Sequence, residues 1–337
     1  MRDRPSLHTG SAEQNRLLDI AVIIVNYGTA DLTIEAVESG LARTHGGRRV
    51  TIHVVDNASP GNSVALLNAA HEAQGWGAQV KLWPEDTNHG FGRGNNLVIG
   101  SLLAHDTPPD AIFLLNPDAQ LENEVMDIMA QQMELNPSVG FTGAAISTPD
   151  GEVRVAAFRF PSILSEFTQS LAFGPVSRLF DKWTVPLPPE TPAGPVDWVA
   201  GAAVLIRSET LRELRGFDPD FFLYYEEVDL MRRGAVAGWK CHYVPQARVI
   251  HIEGAATDIK SKRETCKRMP SYRYQSWRLY FTKSLGRIGA VLAAFASITG
   301  TIGNQIIARI RRKETAAPRY FFRDFWRHAL KPLLFGA

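Results

Sequence analysis

Short apolar runs, each closed by a polar turn, punctuate the first third of the chain and set its architecture. Ile20 to Val25 is continuous and rich in β-branched residues, the length of a strand buried on both faces, and it ends in Asn26-Tyr27-Gly28. Val50 to Val55 is a second such run, stopping at Asp56-Asn57-Ala58-Ser59, and Val80 to Trp83 is a third, shorter one. The spacing between them predicts helices over about Ala30 to Ala42 and Ser63 to Gln74. The polar, Gly-rich Thr87 to Asn96 leads into another that reaches about Ala104. Ile112 to Leu115 makes the fourth strand, and Asn116-Pro117-Asp118 follows at once. A carboxylate is thereby placed at the carboxyl end of a central strand, where open α/β sheets keep their ligands. Taken alone, the same residues serve equally well as ordinary turn formers.

Further along, the pattern predicts a helix from about Asn123 to Leu135, a strand over Val139 to Ile146 and a hairpin turn at Thr148-Pro149-Asp150-Gly151. Phe158 to Pro195 breaks the alternation; aromatic and proline-rich, it reads as a long irregular binding segment. Val196 to Arg207 reads as one strand whose small residues admit a close neighbour, and Ser208 caps a short helix. The stretch Gly216 to Leu230 then delivers Glu226, Glu227 and Asp229 from an aromatic loop to the start of a helix running through Met231 to Ala237. A helix dipole accounts for one or two of those acids. It does not account for the Phe and Tyr residues around them, which desolvate a carboxylate and make it a better base. A strand over Trp239 to Val244 returns toward Arg248-Val249-Ile250-His251. A lone His after apolar residues is structural more often than a ligand, but this one ends a strand as Asp118 does, so the two can meet at one crevice. Strand and helix in alternation predict a doubly wound, mostly parallel α/β sheet.

Composition narrows the picture little: 45% hydrophobic and 21% charged residues in 337 describe an ordinary globular chain. Two cysteines, Cys241 and Cys266, exclude a disulfide framework, lack the spacing of a zinc site and point to a reducing cytosol. Met1 to Arg16 is polar, so a loose lead is expected there rather than a secretory signal or anchor. GFGRGN, at Gly90 to Asn95, departs from the dinucleotide fingerprint because Asn95 replaces the third glycine and the motif follows the third strand.

Charge changes the picture more. Residues 1–259 carry 19 Lys and Arg against 32 Asp and Glu, whereas residues 260–337 carry 17 against 3, so a net +1 hides −13 followed by +14. The basic part also holds 21 uncharged residues, Ile288 to Ala308, flanked by Lys283 and Arg287 before and Arg309, Arg311, Arg312 and Lys313 after. Gly, Ser, Thr, Asn and Gln make that run only modestly apolar, which favours a helix lying in a membrane interface, or dipping into one leaflet, over a full span. An anionic membrane surface is the expected partner. Nucleic acid is not, because the basic residues surround an uncharged helix instead of stacking aromatics.

The ordered motifs VNYGT (25–29), VVDNAS (54–59), N-x-GF-x-x-GNN (88–96), LLNPDA (114–119), VAGAAVLIR (199–207), GFDPDFFLYYEEVDL (216–230) and the closing His251 resemble a family-2 glycosyltransferase of the bacterial rhamnosyltransferase-like branch. The resemblance spans about Asp19 to His251. It implies a GT-A fold, a dTDP- or UDP-sugar donor, Mg²⁺ or Mn²⁺, and inversion at the anomeric carbon. Carried onto this chain, it implies that Asn26, Tyr27, Asp56 and Asn57 line the nucleotide pocket, with Asp56 reading the base. Asn88, Gly90, Phe91 and Asn95 would pass beside nucleotide and sugar. Asn116 and Asp118 take the place of the DXD motif, with Asp118 and His251 as metal ligands. Trp198, Gly201, Ala202, Glu226 and Asp229 fall on the acceptor side, and Glu227 stands where the family usually has the catalytic Asp. No QxxRW motif is present, so single-sugar addition is expected.

These implications divide the chain into a lead over 1–18, a GT-A domain over 19–259 and a basic, helical, membrane-associating extension over 260–337. The expected activity is transfer of rhamnose to a polyprenyl-diphosphate-linked saccharide at the cytoplasmic face of a bacterial inner membrane. A polyprenyl-phosphate sugar synthase and a non-catalytic nucleotide-sugar-binding protein are the alternatives.

Overall fold

The computed structural model describes residues 16–252 and 268–336. Most of the expected lead and the expected boundary at 259/260 lie outside the described residues.

The strands are β1 (Ile20–Asn26), β2 (Val50–Asn57), β3 (Val80–Glu85), β4 (Ala111–Leu115), β5 (Ala119–Leu121), β6 (Val139–Ser147), β7 (Val153–Arg154), β8 (Ala157–Phe158), β9 (Gly194–Val196), β10 (Trp198–Val199), β11 (Ala203–Arg207) and β12 (Lys240–His251). The helices are α1 (Ala30–Leu41), α2 (Ser63–Ala73), α3 (Gly90–Leu103), α4 (Val125–Leu135), α5 (Ile163–Leu171), α6 (Gly174–Leu179), α7 (Ser208–Leu214), α8 (Glu226–Ala237), α9 (Ser271–Ile310), α10 (Phe321–Phe325) and α11 (Lys331–Phe335).

The main sheet runs β3-β2-β1-β4-β11-β6-β12-β5, with β7 on β6 and β9 on β12. Its first four strands are parallel, as the unbroken apolar runs demand, since every residue of β1 and β4 is buried. The second half is mixed: β11 is antiparallel to both β4 and β6, and β5 is antiparallel to β12. One apolar layer packs the sheet against α1, α2 and α4, and a second packs its other face against α3, α7 and α8. A third, aromatic cluster joins Phe221 and Val228 to Tyr274, Trp277, Tyr280 and Phe281 of α9 and to Phe321 and Phe325 of α10.

Three expectations change. The single strand foreseen over 196–207 is three pieces, because the chain turns at Ala200-Gly201-Ala202, where Asn116 N–H donates to the Ala202 carbonyl. Gly143 opposite leaves the room that Val199 fills; a Cβ there would come within 2.4 Å of the Val199 Cβ. The irregular segment 158–195 contains α5, whose start is fixed by a reciprocal capping box between Ser162 and Ser165. Lastly, the helix foreseen over 288–308 is the second part of α9, which begins at Ser271 and is broken at Gly286, where φ is +72°.

Candidate active site

Two adjoining cavities open at the carboxyl ends of the parallel strands. The larger, about 450 Å³, lies over β1, β2 and β4. Its wall includes Tyr27, Asn57, Asn88, Gly90 and Phe91, and on the opposite side Asn116, Asp118 and His251.

The floor beneath it is a closed hydrogen-bond network. Asp56 accepts from the Asn26 amide (2.7 Å), the Ser63 hydroxyl (2.8 Å) and the Ser59 N–H (3.0 Å). The Asn26 Oδ1 accepts from Thr29 N–H (3.0 Å) and the Thr33 hydroxyl (3.1 Å), tying β1 to α1. Asn26 and Asp56 are buried and are not among the residues of the cavity wall. Buried polar groups of this kind are costly unless fully bonded, and here their bonds hold two strand ends and two helix starts in one geometry. Asn95 is likewise buried in α3, donating to the Phe91 carbonyl at 3.0 Å, and does not reach the wall.

Asn57 does reach it. Its amide donates to the Gly90 carbonyl (3.0 Å) and its Oδ1 accepts from His89 N–H (2.9 Å), so the start of α3 hangs from the end of β2. Gly90 has φ +74°, and a Cβ there would stand 2.1 Å from the Phe222 carbonyl oxygen. Only glycine permits that approach, which brings the aromatic loop before α8 against α3.

Asp118 and His251 meet as their positions at strand ends predicted. The antiparallel pairing of His251 with Ala119 brings the imidazole Nε2 to 3.0 Å from Asp118 Oδ1, with the Asn116 amide nitrogen 3.3 Å from the same Nε2. A carboxylate oxygen and an imidazole nitrogen so placed suit a divalent cation that tolerates nitrogen, with further ligands coming from phosphate and water. Among the described residues no group of three or more His, Cys, Asp and Glu is gathered to hold a metal.

The second cavity, about 370 Å³, shares Phe91, Asn116, Leu223 and His251 with the first and adds Trp198, Gly201, Ala202, Glu226 and Glu227. Trp198 stacks on Phe158 at 4.0 Å and 13° and donates to the Arg159 carbonyl at 2.9 Å. Tyr224 and Tyr225 hold left-handed φ values of +71° and +69°, a strained turn that aims the first residues of α8 at the cavity. Glu226 is buried and Glu227 half-buried, and neither Oε2 has a hydrogen-bond partner among the described residues. Burial raises Glu226 well above the usual carboxylate range, and the charge of Glu227 adds to it. Burial also raises Glu227, against the opposing pull of the N–H groups at the start of α8. Two acids this close do not both ionise readily, so the pair holds one proton across a range of pH.

Asp229 does not belong to this cavity. Two residues on from Glu227 it points round the helix, where it takes a 2.7 Å ion pair from Arg233, whose guanidinium also bonds the carbonyls of Leu214 and Gly216. Its expected acceptor-side placement is therefore corrected to a brace for the loop. Conversely, Tyr272 lines the donor cavity, and Ile146, Val155 and Phe158 the acceptor cavity, with no motif to announce them, while Phe222 of the 216–230 motif also lines the donor cavity. Tyr272 comes from α9, and the only signal for it was the aromatic density of Ser271 to Phe281.

The comparisons agree with this geometry. The family described as glycosyltransferase like family 2 matches residues 18–268. N-acetylglucosaminyl-diphospho-decaprenol L-rhamnosyltransferase of Mycobacterium tuberculosis is 32% identical over 190 residues, 53% of this chain and 60% of that protein. Rhamnosyltransferase WbbL of Escherichia coli is 30% identical over 170 residues, 48% and 61% respectively. The matched segments thus span about three fifths of these relatives' lengths. In fold, the chain is similar to GalNAc-T7 solved with UDP, GalNAc and Mn²⁺ (TM-score 0.59, 13% identity, 94% of this chain and 58% of that one). It is also similar to the mannosyltransferase PcManGT of Pyrobaculum calidifontis solved with GDP-Man and Mn²⁺ (0.54, 14%, 89% and 77%). A match over most of the chain, with the mixed sheet and its paired cavities, places this protein in glycosyltransferase family 2, on the rhamnosyltransferase-like branch.

Proposed function

We propose that this protein is an inverting, metal-dependent glycosyltransferase that moves one sugar, rhamnose from dTDP-rhamnose, onto a lipid-linked saccharide. The observation that carries the reading is the shared wall: Asn116 and His251 face both cavities, so a donor on one side and an acceptor on the other meet beside an unpaired carboxylate.

The nucleotide lies against Tyr27 and Asn57, and its diphosphate reaches the start of α3 and Asp118. Asp118 and His251 would hold Mg²⁺ or Mn²⁺, which when bound would supply neutralising charge for the diphosphate and remove the need for a general acid. Glu227, ionised, takes the proton of the acceptor hydroxyl. The freed oxygen attacks the anomeric carbon from the face opposite the diphosphate, the carbon–phosphate-oxygen bond breaks, and configuration inverts. Glu226 keeps its proton and supports the pair. The Trp198–Phe158 stack offers an apolar face to an acceptor ring, as sugar C–H faces require.

The substrate in the name of the Mycobacterium tuberculosis relative, a sugar on decaprenyl diphosphate, supports a polyprenyl-linked acceptor over the simple polyprenyl phosphate of a sugar synthase. Two desolvated carboxylates, each with one oxygen left unbonded among the described residues, are a cost that a binding protein has no reason to carry, which disfavours a non-catalytic role. Residues 19–259 then form the catalytic domain and 260–337 hold it at the cytoplasmic face of an anionic bacterial inner membrane. A thermal-shift screen of dTDP-rhamnose against UDP-sugars, with and without Mn²⁺, tests the donor. The expected result is a metal-dependent shift with dTDP-rhamnose, lost in Asp118→Ala. An equal shift without metal sinks the metal assignment, and a larger shift with a UDP-sugar sinks the donor.

A further inference from the structure

The two faces of α9 after Gly286 are built the wrong way round for a helix in water. The buried face is Ala290, Ala293, Ala294, Ser297, Gly300, Thr301, Asn304 and Ala308, small or polar throughout. The opposite face carries the large aliphatic and aromatic side chains. Ile288 is 80% exposed, Leu292 51%, Phe295 49%, Ile306 55% and Ile310 75%, with Ile302 between them. At 100° per residue these six fall within a narrow stripe about 33 Å long, with no charge from Ile288 to Ala308. A soluble helix buries its large residues and exposes its polar ones, so the inversion identifies an apolar surrounding.

The inner face is fastened to the catalytic domain at close range. A Cβ on Gly300 would lie 2.5 Å from the Phe167 carbonyl oxygen of α5. The Asn304 amide donates to the Leu171 carbonyl at 3.0 Å, and Ser297 bonds Ser170 at 3.0 Å. A helix crossing the bilayer here would drag α5, with its Ser-Glu-Phe-Thr-Gln-Ser, into hydrocarbon. Basic residues mark the ends: exposed Arg287, bonded to the Leu333 and Leu334 carbonyls, before the stripe, exposed Arg309 beside its last residue, and exposed Arg311, Arg312 and Lys313 after it.

We infer that the part of α9 after Gly286 lies flat in the headgroup layer of an anionic leaflet, with Ile288, Leu292, Phe295, Ile302, Ile306 and Ile310 in the acyl boundary and Arg309, Arg311, Arg312 and Lys313 at its end on lipid phosphates. This rests on the reading that the protein works at a membrane, and it names the surface and its orientation. Because the first part of the same helix carries Tyr272 into the donor cavity wall, insertion also fixes the height of that cavity above the lipid.

The test is flotation of the full-length protein with vesicles of phosphatidylcholine alone or mixed with phosphatidylglycerol. The wild type should float with the mixed vesicles, and Leu292→Asp/Ile306→Asp should lower partitioning by roughly a hundredfold at unchanged melting temperature. If the double variant floats as well as the wild type, the stripe is not the contact, although the membrane reading stands. If the wild type floats with neither vesicle, both fail. A wild-type dimer that the double variant dissociates, without vesicle binding, assigns the stripe to a second copy and overturns the inference. Orientation is read separately by labelling Leu292→Cys, Ile302→Cys and Ile310→Cys, one at a time in a Cys266→Ser background. Equal quenching by a lipid nitroxide at one depth is expected, and deep quenching at 302 with shallow quenching at 292 and 310 would overturn the flat orientation.

Discussion

The two cavities treat their polar groups in opposite ways. Under the donor cavity, Asp56 is buried and every bond it needs is made inside the protein, through Asn26, Ser59 and Ser63. Beside the acceptor cavity, Glu226 and Glu227 are desolvated with oxygens left over. The first arrangement stores rigidity and the second stores reactivity. A nucleotide needs a surface that does not move, whereas a base needs an ionisable group whose next partner is the substrate.

The largest effect should come from breaking the reactive side. Glu227→Gln should lower turnover by about 10²–10⁴-fold with donor-induced thermal stabilisation retained, because a well-placed base contributes that much. Glu226→Gln, which copies a protonated acid, should stay within about tenfold of wild type on the same scale. Turnover should also require ionised Glu227, whose raised pKa moves the acidic limb of the pH–rate profile above that of an ordinary carboxylate. Burial, the main cause, is unchanged in Glu226→Gln, so the limb should stay in place there. Inactive Glu226→Gln beside active Glu227→Gln would exchange their roles.

The rigid side should fail as structure before it fails as chemistry. Asp56→Ala leaves the Ser63 hydroxyl and the Ser59 N–H without their acceptor, while the Asn26 amide keeps its bonds to the Ser59 and Ser63 oxygens, at a cost of about 1–3 kcal/mol in unfolding free energy by urea titration. Donor affinity should fall with it, while the pH–rate limb of the remaining activity holds. Unchanged stability with lost donor binding would instead make Asp56 a direct reader of the base, as the motif resemblance implied.

This contrast also explains what was legible in the sequence. The strand ends were legible because a buried parallel strand is a continuous apolar run, and whatever polar residue follows must lie at the sheet's edge. That logic found Asp118 and His251, whose side chains meet at 3.0 Å. It could not tell a residue on the edge from one folded beneath it, and the motif resemblance, which implies Asn26 and Asp56 in the nucleotide pocket and Asn95 beside it, does not tell them apart either. Nor could it separate Glu227 from Asp229, which lie about half a helical turn apart, the second with a partner, Arg233, supplied four residues on. The lining residues that no motif singled out share one property, long-range delivery. Tyr272 reaches the site on a helix whose position depends on packing against Phe221 and Val228, and Phe158 depends on a stack with Trp198. Neither contact has a local period to betray it.

A third carboxylate extends the reactive side's habit and gives the smallest test. Glu166 of α5 is buried behind the aromatic turn and accepts the Trp277 indole N–H at 2.8 Å, and burial lifts its pKa to about 7 although that bond and Arg273 pull the other way. Its charge in turn helps burial to raise Tyr225. In the unfolded chain the acid ionises near its ordinary 4.5, so between about 4.5 and 7 the unfolded state loses a proton that the folded state keeps. Folding stability from this group is therefore whole below pH 4.5, falls as pH rises and levels off above 7, by at most about 3 kcal/mol. Glu166→Gln can accept the same indole bond and has no proton to lose. Its urea midpoint should move above that of wild type as pH rises from 5 to 8, the other carboxylates cancelling in the difference. Parallel pH dependence of the two proteins would mean that Glu166 ionises in place, with water reaching it between α5 and α9.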